Sequence, residues 1–239
     1  GAPHRKDHTG GFAMASNVVV YLFDVDNTLL DNDRVAADLM KHLELSVGAE
    51  RKQEYWKYFE DLRDELGYAD YLGALQRYRI QHPRDFHIVA VSYFLVNYHF
   101  ANRLLPGSLD VLEKFKSNAV VAILSDGDVV FQPHKVERSG LREAVDGNVM
   151  IYIHKEKEFD DVESRYPADH YILVDDKIRI LDAAKKFWGK RVTTVFPRQG
   201  HYALDPDEVG KYPTPDVTID RIDQMLELEQ HELIAAAKG

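Results

Sequence analysis

The sequence predicts an α/β protein: a doubly wound, mainly parallel sheet of Rossmann-like type with an inserted α-helical module. Three observations lead there. Short β-branched and aromatic runs without polar alternation recur along the chain, as in strands buried on both faces. Helical patterns lie between them, and strands alternating with helices mean βαβ units and a parallel sheet. One interval, 33–103, holds several helical windows and no convincing strand, so it reads as a second, all-helical unit set into the first.

Residues 1–16 read as a flexible leader of three glycines, a proline and two histidines; an added extension, with Met14 as the original start, is the preferred explanation. The first strand run is 18–23. Further runs are 119–124, 171–174 and 192–196, with 149–153 a weaker fifth. Between them, 109–115, 135–139 and 178–187 have helical patterns. Inside the insertion, Val35, Leu39 and Leu43 share one helical face, and Tyr55, Phe59 and Leu62 form a second group. Leu72, Leu75, Tyr78 and Ile80 suggest a third helix closed by Pro83, and 86–100 a fourth, very apolar one. The last pattern, 219–237 with Met225, Leu226 and Leu233, is expected to be a helix packed on the core or on a second copy, which allows a homodimer. The expected domains are therefore a core of 17–32 and 104–239 and a helical cap of 33–103. Attachment at both ends permits hinge closure over a site at the strand tips.

Composition narrows the function. A length of 239 residues, 45% hydrophobic and 29% charged, suits one soluble core with an inserted module. With 30 Lys and Arg against 40 Asp and Glu, the net charge is −10 and no basic block offsets it, which argues against a nucleic acid or an anionic membrane as the main partner. The absence of cysteine excludes disulfides, zinc–thiolate sites and thiol nucleophiles. The longest apolar stretch, 88–96, is far shorter than the ~20 residues of a spanning helix, and no apolar signal region is visible. A soluble, cytoplasmic protein is expected.

The chemistry collects at strand ends. In Phe23-Asp24-Val25-Asp26-Asn27-Thr28, side chains two apart on an extended segment point the same way, so Asp24 and Asp26 can converge. They sit at the carboxyl edge of the first strand, where open α/β sheets bind ligands. Two such carboxylates repel unless a cation or proton offsets them, and magnesium, with its preference for oxygen, would do so. The bland alternative is a turn whose aspartates cap the next helix. The second strand runs into Ser125-Asp126-Gly127-Asp128, which offers a hydroxyl and close backbone approach to an anion. The run 171–174 ends in Asp175-Asp176-Lys177. Lys155 follows 149–153, with Lys157 behind it; Lys155 is preferred as nearer the strand end.

Strand tips bearing Asp-x-Asp, Ser, Lys and Asp-Asp in that order resemble the haloacid dehalogenase (HAD) superfamily. The closest likeness is to its aspartate-nucleophile phosphatases with a helical cap between the first two motifs. The resemblance spans the first strand to the 192–196 strand, and departs from the commonest pattern only where no proline follows the lysine. It implies that Asp24 attacks phosphorus to give an aspartyl-phosphate and that Asp26 serves as acid and then base. It further implies Mg2+ held by Asp24, Asp26 (through its backbone carbonyl) and Asp175 or Asp176. Ser125, Asp126, Lys155 and Thr28 would line the phosphate, with Gly127 admitting close backbone approach. Dehalogenase and phosphonate-cleaving branches lack an aspartate in the position of Asp26, because expelling halide needs no proton donor. The expected activity is thus hydrolysis of a small phosphorylated metabolite. A 2-haloacid dehalogenase-like enzyme and a non-catalytic protein retaining the fold are the competitors. The cap aromatics are read as packing, and Arg77, Arg79 and His99 suit a substrate anion and a solvated helix face equally well. The Gln132-Pro133-His134-Lys135 segment and the Arg198–His201 loop could border the site, but a helix starting at Pro133 and a surface loop are the simpler readings.

Overall fold

The computed structural model describes residues 17–239; the expected leader, 1–16, lies outside the described residues. Six strands, β1 (Val19–Phe23), β2 (Val120–Asp126), β3 (Val149–Tyr152), β4 (His170–Val174), β5 (Val192–Pro197) and β6 (Val217–Ile219), pair in the order β3-β2-β1-β4-β5-β6, all parallel. All of β1 and β4 is buried, which is why their sequences are continuous apolar runs. The order reverses between β1 and β4, and such a switch point opens a crevice at the carboxyl ends of the strands.

Helices α1 (Asn32–Val47), α2 (Ala49–Leu66), α3 (Tyr71–Gln81) and α4 (Ile88–Val96) follow β1 without an intervening strand. Their buried residues include Val35, Leu39 and Leu43 on α1 and Tyr55, Phe59 and Leu62 on α2. The expected fourth helix is shorter than 86–100. It stops at Val96, and a separate 3-10 turn, Phe100–Arg103, brings the chain back. The segments entering and leaving the insertion are stitched together: Leu105 N–H donates to Leu29 O at 2.8 Å and Asp31 N–H to Arg103 O at 2.7 Å.

The remaining helices are α5 (Ser108–Lys116), α6 (Phe131–Arg138), α7 (Leu141–Ala144), α8 (Phe159–Arg165), α9 (Ile178–Trp188), α10 (Gly200–Ala203), α11 (Pro206–Val209) and α12 (Gln230–Ala235). Tyr21 and Phe23 on one face of β1 join a core that includes α5 and the inserted helices. Val20 and Leu22 on the other face pack with α8 and α9. No helix among the described residues is long and apolar enough to cross a membrane.

The C-terminal expectation is corrected. Residues 219–237 do not form one helix: β6 ends at Ile219, a 3-10 turn covers Ile222–Glu227, and only Gln230–Ala235 is α-helical. Lys114 on α5 accounts for the break, because its ammonium donates to Leu226 O at 2.9 Å and Leu228 O at 2.7 Å, carbonyls that a continuous helix would use internally.

Candidate active site

The ladder continues just past the strand tips. Asp24 N–H donates to Val174 O at 3.0 Å and Asp175 N–H to Val195 O at 3.2 Å, so both acidic segments leave the sheet side by side. After Val25 the chain doubles back, with Leu29 and Leu30 N–H both donating to Val25 O. Asn27 carries the turn in a left-handed conformation (φ 60°), which asparagine tolerates better than most residues. Gln199, in the loop after β5, clamps this turn by donating to both Asn27 O and Thr28 O at 3.0 Å. Gly200 lies against Asn27, where a Cβ would fall 2.6 Å from the Asn27 side chain.

Carboxylate oxygens of Asp24, Asp175 and Asp176 lie within 4.8 Å of one another, all buried. Lys155 meets them from the β3 side: its Nζ is 2.8 Å from Asp24 Oδ1 and 2.6 Å from Asp175 Oδ2. The Asp175 contact is a close ion pair rather than a well-directed hydrogen bond. Lys155 is 2% exposed whereas Lys157 is exposed, so Lys155 is the lysine at the cluster. Burial opposes its charge, but Asp175 and Asp24 outweigh burial and hold its pKa well above the ordinary value. Burial likewise pushes the Asp24 carboxyl up, yet Lys155 brings it below the usual range. Asp175 is raised to about 6 by burial and then by the neighbouring Asp24 charge, and Asp176 is raised well above normal by burial, Asp24 and Asp175. Three carboxylates with one ammonium leave excess negative charge, and Asp176 Oδ2 is buried with no hydrogen-bond partner. This donor set of hard oxygens fits a magnesium ion.

A cavity of about 420 Å³ opens on this cluster and is lined by Asp24, Asp26, Ser125, Asp126, Lys155 and Asp176, among others. Of the residues expected at the site, Thr28 and Asp175 do not line it. Thr28 is fully buried: its hydroxyl donates to Asp24 Oδ2 at 3.0 Å and accepts from Asp176 N–H at 3.2 Å. The expectation that Thr28 touches phosphate is therefore corrected, since this hydroxyl is occupied in positioning two carboxylates. Asp175 stands behind Lys155. Asp126 turns its Oδ1 to the Lys155 backbone N–H at 2.6 Å, and burial raises its pKa.

The Asp26 carboxylate is outside the three-aspartate cluster, in keeping with the expectation that any part Asp26 has in metal binding is through its backbone carbonyl. Lys135 Nζ donates to Asp26 Oδ1 at 2.9 Å and Gln132 Nε2 to Oδ2 at 3.2 Å. Gln132 also donates to Ser125 Oγ at 2.9 Å, joining the first and second motifs. A Cβ on Gly127 would lie 2.6 Å from Gln132, so Gly127 makes room for this side chain. Lys135 is 1% exposed and sits over the Phe131 and Phe100 rings. Neither its burial nor its partner was legible: the segment suggested only that it bordered the site, and Asp26 is 109 residues away in sequence.

After β5, His201 on α10 lines the cavity and pairs with Asp33 at 2.6 Å, while Arg198 in the preceding loop turns to Asp220 at 3.9 Å and does not line it. The inserted helices contribute Trp56, Phe59, Arg63 and Tyr71. Arg77 is turned instead to Glu65.

The family profile of haloacid dehalogenase-like hydrolases matches residues 18–187. The chain belongs to that family. It is similar, at 55% identity and TM-score 0.87, to the solved structure of a haloacid dehalogenase-like hydrolase from Burkholderia xenovorans LB400, over 91% of this chain and 99% of that one. An L-2-haloacid dehalogenase from Xanthobacter autotrophicus with chloropropionic acid covalently bound shares the fold at TM-score 0.58 and 18% identity, over 88% of this chain and 98% of that one. A HAD hydrolase from Bacillus subtilis bound to magnesium does so at 0.60 and 15%, with the same coverage. Among curated proteins none matches the chain.

Proposed function

We propose that this hydrolase is a magnesium-dependent phosphatase of small phosphorylated metabolites, acting through an aspartyl-phosphate on Asp24. The observation that carries the reading is Asp26. Its carboxylate faces the cavity and is held by two donors, Lys135 and Gln132, beside the buried Asp24–Asp175–Asp176 cluster. A group fixed in that way is suited to moving a proton at a leaving oxygen, a service that halide does not need.

Asp24 attacks phosphorus, the phosphorus–oxygen bond to the leaving group breaks, and Asp26 delivers a proton to the departing oxygen. Asp26 then takes a proton from water, which attacks the phosphorylated Asp24 and releases phosphate. Lys155 and Ser125 hold phosphoryl oxygens as charge shifts onto them. Asp24, Asp175 or Asp176 and the Asp26 backbone carbonyl are the groups that would hold Mg2+, which when bound supplies positive charge against the repulsion between anionic nucleophile and anionic ester. Thr28 keeps Asp24 and Asp176 aligned.

Dehalogenation is favoured by one feature: Lys155 already neutralises Asp24 at 2.8 Å, so attack on carbon needs no added cation. The two readings separate in one assay. Turnover of an aryl phosphate should require magnesium and be abolished in Asp24→Asn. Equal rates with and without metal and in the variant, or halide release from a 2-haloacid insensitive to Asp26→Ala, would reject the phosphatase reading.

A further inference from the structure

Two cations at the cavity form no close ion pair among the described residues. Arg63, on the last turn of α2, and Lys177, just after the Asp175–Asp176 pair, are both half-buried and both line the cavity. Elsewhere on this acidic chain cations are commonly paired: Arg77 with Glu65, Arg179 with Glu156, Lys185 with Asp216. Acids do lie in the adjoining cleft: Asp205 and Glu208 are engaged, and Asp64 is exposed and in no ion pair among the described residues. Asp205 caps α11 through the Asp207 N–H, and Glu208 pairs with Lys211 at 3.1 Å. Arg63 and Lys177 instead converge on Tyr202, the first donating from Nη1 to its hydroxyl at 3.4 Å and the second placing Nζ 4.7 Å from its ring centre. These three residues come from the insertion, the β4–α9 turn and α10. Trp56 and Phe59, stacked at 4.7 Å, provide an apolar wall on the same cavity.

We infer that Arg63 and Lys177, with the Tyr202 hydroxyl, form a second anion subsite, so that the substrate is a phosphate monoester bearing a further anionic group. The inference rests on the phosphatase reading and deepens it. The phosphoryl group goes to Asp24 and Lys155, while a carboxylate or second phosphate at the other end of a short body meets the Arg63 guanidinium, whose planar fork suits either anion. The cavity volume of about 420 Å³ is suited to a small metabolite. An ester without a second anionic group would leave the half-buried Arg63 guanidinium with the Tyr202 hydroxyl in place of a counter-charge, which disfavours it. Net charge cannot supply this selectivity, because the chain as a whole repels anions.

The test compares kcat/KM for phosphoglycolate, glycerol 1,3-bisphosphate and ethyl phosphate in wild type, Arg63→Met and Lys177→Met. The wild-type enzyme should prefer one or both doubly anionic esters over ethyl phosphate by about tenfold or more, and Arg63→Met should bring that ratio close to unity. A wild-type ratio near one, or a ratio unchanged in Arg63→Met, overturns the subsite; in the latter case Arg63 serves only as a strut to Tyr202. Which doubly anionic ester is preferred identifies the second group. Failure of the phosphatase reading would be seen separately as no turnover of an aryl phosphate. Calorimetry of phosphonoacetate against methylphosphonate then still decides: tighter binding of the former, lost in Arg63→Met, supports the subsite, and equal affinities overturn it.

Discussion

Asp26 is the residue on which the chemistry divides. If it moves protons in both half-reactions, Asp26→Asn should lower kcat on an alkyl phosphate about 10²–10⁴-fold, measured by phosphate release. Lys135 has no contact with the phosphoryl pocket, yet it fixes one Asp26 oxygen at 2.9 Å from within an aromatic surround. Lys135→Met should therefore act as a positioning defect, reducing kcat by roughly tenfold to a hundredfold with KM little changed. An effect on KM alone would assign Lys135 to substrate binding instead. These two residues also mark how far sequence reasoning reached. Asp24 and Asp26 are readable because their relation is local, two positions along an extended segment, and Lys155 because it follows a buried run. Lys135 and Gln132 are not, since the first two motifs meet them only after α6 has docked. Thr28 was misassigned for a similar reason: its position in the motif suggests a ligand contact, but its hydroxyl is turned between two carboxylates.

At the level of elements, the αβ alternation was legible wherever burial on both faces produced a continuous apolar run, as in β1 and β4. It failed at β6, three residues long and only partly buried, and in the segment after it, where Lys114 takes carbonyls that helical periodicity assigned to a helix. Within the insertion, the connection from α3 to α4 is organised by Asp85, whose Oδ2 accepts from Tyr78 Oη and Arg51 Nη1, each at 2.6 Å. Burial raises its pKa, but those donors prevail and bring it down to about 2. A carboxyl depressed below its unfolded value of ~3.9 contributes stability fully above about pH 4 and loses it as pH falls toward 2. Asp85→Asn should thus cost about 1–3 kcal/mol near neutral pH, with the gap to wild type closing as pH falls through that window. Chemical denaturation of both proteins at pH 7 and pH 3 checks it, and a gap that widens in acid would contradict the assignment.

For the molecule as a whole, the sheet's switch point brings together acidic groups that are costly to bury without a cation. Magnesium should therefore stabilise the folded chain, raising the thermal midpoint on the order of 5–10 °C at about 100 times its Kd. Asp176→Asn should lose most of that increment while being no less stable than metal-free wild type, since it removes a like charge. The central claim is tested most directly by acid-quenching the enzyme during turnover of an aryl phosphate and mapping the modified peptide by mass spectrometry. A phenolate departs without a proton donor, whereas the water step still needs its base, so Asp26→Asn should accumulate one phosphoryl group on Asp24 in the presence of magnesium. Turnover by the wild-type enzyme with Asp24 unmodified in the stalled variant would contradict the account.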